Sequence, residues 1–230
     1  LMETGKTGKY LKYAIGEIVL VVIGILIALQ INNWNTQRQY DAQEQTILRI
    51  LKSEFQYNRL ELARNIDKAT RLKNNADSLL ALFNNPTQTS SQQLTHLARR
   101  ISGYSTYDPS NGALNNLISS GQLNLIKNVS LRIILSKWFG EVQDVKEDEV
   151  RLIKFGDDNL DPIRLKFINY KDDSIFDRNT FALLNNPEFE NVVLSMLSAV
   201  KYIIENYKIL DLEIEKIIML IDLEIKTQND

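Results

Sequence analysis

The chain has 230 residues with 27 basic and 29 acidic side chains, so its net charge is only −2. This balance excludes the large basic surface that nucleic-acid binding needs. Cysteine is absent, which excludes disulfides, thiol catalysis and cysteine-based zinc sites.

Helix-breaking residues are scarce, because the chain has only four prolines and nine glycines. Long stretches without a breaker favour helices, and we predict an all-α protein. The expected architecture is one N-terminal transmembrane helix that continues into an extracytoplasmic helical bundle with long first and last helices. The length beyond the membrane anchor suits one domain of about 200 residues.

An apolar segment near the N-terminus predicts the transmembrane helix, over residues 14–33. Residues 14–31 read AIGEIVLVVIGILIALQI, and with their flanks they are long enough to cross about 30 Å of hydrocarbon. Tyr10, Tyr13 and Trp34 are typical of the aromatic belts at the two interfaces. A cleaved signal peptide and a buried core helix are the alternatives, but no small-x-small cleavage site follows the segment.

Charge placement predicts the orientation of the segment. Lys6, Lys9 and Lys12 precede it, whereas Arg38 on the other side is accompanied by acidic residues. The positive-inside rule therefore makes residues 1–13 a basic cytoplasmic tail. Residues 34–230 are then the extracytoplasmic domain.

Four residues of this region are candidates for contact with lipid or with another helix. The Glu17 carboxylate lies about one turn from the cytoplasmic edge, where it can reach head groups or pair with a neighbouring chain. Ion or proton movement is the alternative role for Glu17. Gly24 and Ala28 form a small-xxx-small pair that lets another helix approach closely. We expect these three residues and Trp34 to serve membrane placement or assembly.

Helical spacing of apolar residues continues without a breaker to Asn84-Asn85-Pro86, where the first helix is predicted to end. Residues 84–93 are polar and predict a loop, and residues 94–101 predict a short helix. Two more short helices are predicted at 113–119 and 122–126, the first of them closed by Gly121.

The second half of the chain predicts two longer helices. Asn128 or Ser130 is expected to cap a helix that runs through Leu152 and ends before Asp161-Pro162. Residues 169–179 are polar and predict a surface connection. Asn186-Pro187-Glu188 then gives a cap, a first-turn proline and an acid, which together predict a helix start.

The last helix carries apolar residues in rows with a seven-residue period. These rows suit packing against the long first helix by antiparallel return, and a coiled-coil seam is the alternative. The two complete rows are Val193, Val200, Tyr207, Ile214 and Ile221, and Met196, Ile203, Leu210 and Ile217.

Residues for catalysis, for metals or for cofactors are not found. His96 is the only histidine and is expected to be an exposed helix residue. Phosphate-binding glycine motifs are absent. Carboxylate runs such as Glu147-Asp148-Glu149 and Asp157-Asp158 lack calcium-loop spacing and are interpreted as solvated faces. We therefore predict no catalytic residue, no metal ligand, no cofactor and no enzymatic activity.

Two segments resemble a family of small single-span envelope proteins from Bacteroidota that has no assigned activity. Residues 13–35, YAIGEIVLVVIGILIALQINNWN, resemble its opening signature, and residues 113–139, ALNNLISSGQLNLIKNVSLRIILSKWF, resemble its second recurring block. The resemblance implies anchoring in the inner membrane and a helical periplasmic domain. Because the chain begins at Leu1, a few native residues are expected to precede it.

The same resemblance draws attention to the Asp-Ser-aliphatic pattern that envelope proteins of this group use for O-linked sugars. Asp173-Ser174-Ile175 and Asp77-Ser78-Leu79 match this pattern. Ser174 lies in a polar loop and is the better candidate, whereas Ser78 lies inside a predicted helix.

These features favour a non-enzymatic module that is an accessory or scaffolding subunit of an envelope protein complex. Its expected partners are membrane lipid, other envelope membrane proteins and further copies of the chain. The alternative is a periplasmic domain that senses a small ligand between helices, without an output domain of its own. A hydrolase of cell-wall glycans, using acids such as Asp157 or Asp161, is the third candidate.

Overall fold

The computed structural model describes residues 4–85, 89–103, 105–168 and 180–227, with side chains for those from 11 to 225. These residues form six α-helices and no strand, so the all-α prediction with long first and last helices is confirmed. The helices are α1 (Thr4–Asn84), α2 (Ser91–Arg100), α3 (Gly112–Ser119), α4 (Val129–Phe155), α5 (Asp161–Phe167) and α6 (Pro187–Thr227).

The chain divides into two compact units, Leu1–Leu48 and Arg49–Asp230. In the first unit every side chain from residue 11 to residue 35 is exposed. Among the helices that the structure describes, α1, near the N-terminus, is long and apolar enough to cross a membrane. The predicted apolar segment therefore has the conformation that a span requires.

The second unit has a core to which α1, α4 and α6 contribute. Both complete apolar rows of α6 are buried within the chain, as the packing interpretation predicts. Ion pairs join α6 to residues 49–84 of α1, with Lys52 Nζ 2.6 Å from Asp222 and Arg59 Nε 2.9 Å from Asp211. Higher numbers on α1 meet lower numbers on α6, so the two helices run antiparallel.

Helix ends follow the predicted capping residues. The side-chain oxygen of Asn128 accepts a hydrogen bond of 2.9 Å from the N–H of Leu131 at the start of α4. Asn186 does the same for α6, accepting from the N–H groups of Glu188 at 3.0 Å and Phe189 at 3.2 Å. Gly121 follows α3 with φ of +70°, the left-handed conformation of a helix end.

The helix after Asn128 ends at Phe155, before Asp161-Pro162 as predicted, but the chain does not leave the helical path there. A π-helical turn, Gly156–Leu160, joins α4 to α5, and its last bond runs from the N–H of Asp161 to the carbonyl of Gly156. Pro162 then falls in the first turn of α5, a position where the fixed φ of proline suits a helix. The helical path continues to Phe167.

The predicted loop before α2 is too long. Ser90 accepts a hydrogen bond of 3.1 Å from the N–H of Gln93, so α2 begins at Ser91. The segments 122–125 and 180–185 are short 3₁₀ turns. The predicted surface connection at 169–179 lies outside the described residues.

Candidate functional site

An apolar row faces outward along α6. Its apolar members, each more than half exposed, are Tyr202, Ile209, Leu212, Met219 and Leu223. With Glu205 and Lys216 they follow alternating steps of three and four residues, the spacing of a coiled-coil seam. Because each member lies two positions after a residue of a buried row, this outer row occupies the opposite face of the helix.

An acidic groove lies beside the outer row, between α4 and α6. It has a volume of about 230 Å³ and shares Tyr202 and Ile209 with the row. Its carboxylates are Glu141, Asp144, Asp148 and Glu213. Asp148 is held by Arg151 at 2.8 Å, whereas the other three form no ion pair with any residue that the structure describes. The groove therefore presents an apolar edge beside uncompensated negative charge.

A buried carboxylate, Glu149, lies in the core beneath the chain segment that precedes α3. Its Oε1 atom accepts a hydrogen bond of 2.9 Å from the backbone N–H of Tyr107 and another from the hydroxyl of Tyr207. Glu149 is only 3% exposed. Burial raises the pKa of Glu149 and also raises the pKa of each tyrosine hydroxyl, because all three charged forms lose contact with water.

A small cavity of about 30 Å³ is lined by Glu149 and by Asn65 of α1. The second carboxylate oxygen of Glu149 and the side-chain carbonyl oxygen of Asn65 are buried and accept no hydrogen bond from the described residues. The rest of the wall is largely apolar, from Leu72, Leu152 and Val200. Glu149 and Asn65, which both line the cavity, thus each hold a buried acceptor that no described residue satisfies.

Side chains of α1 fix the segment 107–114 against the core. The buried amide of Asn58 donates to the carbonyl of Ser110 and accepts from its N–H, both at 2.7 Å. The Glu54 carboxylate accepts from the N–H groups of Ala113 at 2.9 Å and Leu114 at 3.1 Å, at the start of α3. The segment 107–114 is therefore held against α1 by paired polar groups.

The candidate residues of the first unit are all exposed. Glu17, Gly24 and Ala28 lie on the apolar helix, and open space surrounds a Cβ atom built on Gly24. The ring of Trp34 lies 5.8 Å from the guanidinium of Arg38, within the range of a cation–π contact. Their roles in membrane placement and assembly stay predictions.

The other predicted residues that the structure describes lie apart from the cavity and from the outer row. His96 is exposed on α2, as predicted, and Ser78 is exposed on α1. Ser174 lies outside the described residues. Asp157 and Asp158 are exposed, and Asp161 pairs with Arg164. Within the described ranges no group of three metal-ligating side chains comes together.

The interpretation of Glu149 as part of a solvated run is wrong. Trp138, Val142, Val145, Glu149 and Leu152 form one buried row on α4, at steps of four and three residues. The place of Glu149 in an otherwise apolar row was a signal that it is buried. The run of three acids suggested a solvated face instead. The outer row of α6 was also missed, because the interpretation of this helix followed the two complete apolar rows on its opposite face.

The family comparison covers more than half of the chain. A model of a family of unknown function (DUF6090) matches residues 17–157. The chain belongs to this family. The DUF6090 match contains most of the apolar segment, the segment 107–114 and Glu149, whereas α6 follows it. Neither the comparison with curated proteins nor that with solved structures gives a match.

Proposed function

We propose that this DUF6090 protein is a single-pass inner-membrane protein whose periplasmic helical module is an accessory or scaffolding subunit of an envelope complex. The outer row of α6 carries the proposal. A stripe with five apolar side chains, each more than half exposed, is the geometry that docks another helix. The module needs no cofactor and catalyses no reaction.

The partner is an amphipathic helix of another envelope protein, with an apolar seam and a basic flank. Its apolar positions cover Ile209, Leu212 and Met219. Its basic flank lies over the acidic groove, where Glu141, Asp144 and Glu213 have no basic partner in the described part of the chain. Complementary charge of this kind sets partner choice and orientation.

A second copy of the chain fits this surface less well. Parallel pairing of two outer rows places Glu205 against Glu205 and Lys216 against Lys216, and like charges at such positions repel. Antiparallel pairing about a twofold axis relieves those contacts but brings the two acidic grooves to the same edge of the interface. The charge pattern therefore favours a different protein.

Photocrosslinking in intact cells tests the docking surface. A photoreactive amino acid is placed at Leu212 in the outer row and, as the matched control, at Ile133, an α4 residue that is also half exposed. We expect one discrete adduct from position 212 and none from position 133. Peptide mass spectrometry should locate the crosslink on a helix with apolar seam positions and flanking lysine or arginine.

Charge reversal supplies the second arm of this experiment. Replacing Glu141, Asp144 and Glu213 together by lysine should reduce the adduct at position 212 at least several-fold while leaving the protein folded, because exposed charges add little to stability. An adduct with a second copy of the chain, an adduct insensitive to charge reversal, or equal adducts at positions 212 and 133 would overturn the proposal.

Small-ligand binding is the second candidate function, and one observation favours it. A cavity in the core is lined by two buried polar residues, Glu149 and Asn65, beside a largely apolar wall. A ligand bound there would act through the core of the module, since α1, α4 and α6 all contribute to the wall.

A further inference from the structure

An apolar hollow lies between α4 and α6, next to the acidic groove. It has a volume of about 360 Å³ and shares Asp148 and Tyr202 with that groove. The residues that complete its lining are Arg151, Leu152, Phe155, Ser195, Ala199 and Ile203. Leu152 and Ile203 are buried, whereas Tyr202 is 59% exposed. The hollow therefore has an apolar floor and an edge at the surface.

The charges at the apolar hollow are paired, in contrast to those of the acidic groove. Asp148 and Arg151 are the charged residues of its lining, and Arg151 donates a hydrogen bond of 2.8 Å to one oxygen of Asp148. The side-chain amide of Asn206 donates one of 2.9 Å to the other oxygen. A charged occupant would lose its hydration without gaining a partner, whereas an apolar occupant would cover Leu152 and Ile203.

The outer row of α6 continues to the apolar hollow. Extended toward the N-terminus of α6 by steps of four and three residues, the row passes from Tyr202 to Ser198 and then to Ser195. Ser195 and Tyr202 both line the hollow. The two serines are small and exposed, so they leave the hollow accessible. A helix that docks along the outer row therefore passes over the hollow.

The distance between the apolar hollow and the acidic groove follows from their positions on α6. Ala199 lines the hollow, and Ile209 lines the groove ten positions later. At about 1.5 Å per residue, these ten positions span roughly 15 Å. A partner helix that lies along α6 covers this distance in about two to three turns, and residues about 7 to 11 positions apart share one face of such a helix.

We infer that the apolar hollow receives an aromatic side chain of the partner helix, about 7 to 11 positions from that helix's basic residues. Phe155 and Tyr202 in the wall favour an aromatic occupant, because aromatic rings are stabilised by edge-to-face contact. Side chains that fill such pockets contribute much of the binding energy of an interface. The inference rests on the proposed docking of a partner helix on the outer row.

Filling the hollow in advance tests the inference. Ala199→Trp places a large side chain in it, and Lys201→Trp is the matched control, since Lys201 is exposed and does not line the hollow. The adduct at position 212 is measured in intact cells for both variants of the full-length protein. Ala199→Trp should reduce the adduct about 10-fold, and Lys201→Trp should leave it within about two-fold of the wild type.

A crosslink from the rim of the hollow supplies a second readout, which decides alone if Ala199→Trp does not fold. A small diazirine amino acid replaces Ser195 in the otherwise unchanged chain. Peptide mass spectrometry should place its crosslink on the same partner helix that position 212 labels, beside an aromatic residue. Replacing that aromatic residue of the partner by alanine should reduce the adduct at position 212 about 10-fold.

The outcomes separate this inference from the proposed function. An adduct at position 212 that charge reversal reduces but that Ala199→Trp leaves unchanged would overturn the aromatic anchor and keep the docking proposal. A crosslink from position 195 to a lipid, to a small molecule or to a segment without an aromatic residue would do the same. The absence of any adduct at position 212 would overturn both.

Discussion

At the residue scale, the second unit is stabilised by a few buried polar side chains, each of which forms hydrogen bonds with specific partners. Asn58 is fully buried and uses both ends of its amide on Ser110. Arg164 is also buried, and its guanidinium donates to the carbonyls of Ala98 and Arg99 near the end of α2, each at 3.3 Å. Such groups stabilise a fold only when their partners are kept, because an unpaired buried polar group is costly.

Replacement of Asn58 by alanine should lower the free energy of unfolding by about 1–3 kcal/mol, because two hydrogen bonds to Ser110 are lost and a small void is left. Chemical denaturation of the full-length protein in detergent measures the change. Asn115→Ala, on the exposed face of α3, is the matched control and should change stability by less than about 0.5 kcal/mol. Equal effects in the two variants would contradict the assigned role of Asn58.

The ionisation of Glu149 predicts a pH-dependent stability. Burial raises the pKa of this carboxyl above its ordinary value of 4.5, so folding favours the protonated form. The stability that protonation contributes is present below about pH 4.5 and is lost as the pH rises through the raised pKa. The side chain in Glu149→Gln does not titrate. The Tm of this variant should therefore rise relative to the wild-type Tm as the pH increases through the raised pKa of Glu149.

Thermal unfolding between pH 4 and pH 8 measures this difference. Glu147→Gln is the control, since Glu147 is exposed, and its Tm should follow the wild-type curve. A wild-type Tm that rises relative to Glu149→Gln with increasing pH would show that the carboxylate is better stabilised than its burial indicates.

At the element scale, α6 has two apolar faces with different roles. One face is buried in the core, and the outer row is exposed on the opposite face. The residues of the inner rows recur with the helical period and are buried, as is usual for a helix that packs on a core. The side chains of the outer row are more than half exposed, and the proposed docking of a partner helix would account for their apolar character.

Two isoleucines of α6 separate the two roles. Ile214→Ala should lower the free energy of unfolding by about 2–5 kcal/mol, because Ile214 is fully buried and its truncation leaves a cavity. Ile209→Ala should change stability by less than about 0.5 kcal/mol, because Ile209 is 58% exposed.

Denaturant unfolding and the photocrosslink at position 212 are measured on both isoleucine variants. Ile209→Ala should reduce the crosslink without loss of stability. A stability loss in Ile209→Ala as large as that in Ile214→Ala would show that the outer row belongs to the core.

Much of the fold could be predicted from short-range signals in the sequence. Asn128, Asn186 and Gly121 act within one turn of their own helix, and the apolar rows of α6 repeat over several turns. The π-helical turn before Pro162 could not be predicted in this way, because a proline is both a helix stop and an acceptable first-turn residue.

The candidate sites depended on long-range placement and were harder to predict. Glu149 is interpreted correctly only when its row on α4 is given more weight than its acidic neighbours. The cavity also needs Asn65, which lies 84 positions earlier in the chain, and no local pattern links the two. The outer row of α6 was not recognised in the sequence, and only the structure shows that its side chains are exposed on the face opposite the buried rows.

At the scale of the whole molecule, the proposal requires the two ends of the chain to lie on opposite sides of a membrane. The exposed apolar helix of the first unit suits a single span, and the lysines before it favour a cytoplasmic N-terminus. The acidic groove and the outer row would then both face the periplasm.

The absence of cysteine makes the topology directly measurable. Single-cysteine variants Thr7→Cys and Lys137→Cys are treated in intact cells, whose outer membrane has been made permeable, with a maleimide that does not cross the inner membrane. Position 137 should be labelled, and position 7 should be labelled only after the inner membrane is disrupted. The opposite pattern would reverse the orientation, and loss of the protein from the membrane fraction in alkali would contradict the anchor.

The distance along the chain between α1 and α6 has a consequence for synthesis. Arg59 and its partner Asp211 are separated by 152 residues. At about 5–20 residues per second, the ribosome makes the second residue on the order of 10 to 30 s after the first. Through that interval the inner face of α1 has no α6 to cover it. Because α6 carries both part of the core and the outer row, an incomplete chain has neither. On the proposed function, only a finished molecule would recruit its partner.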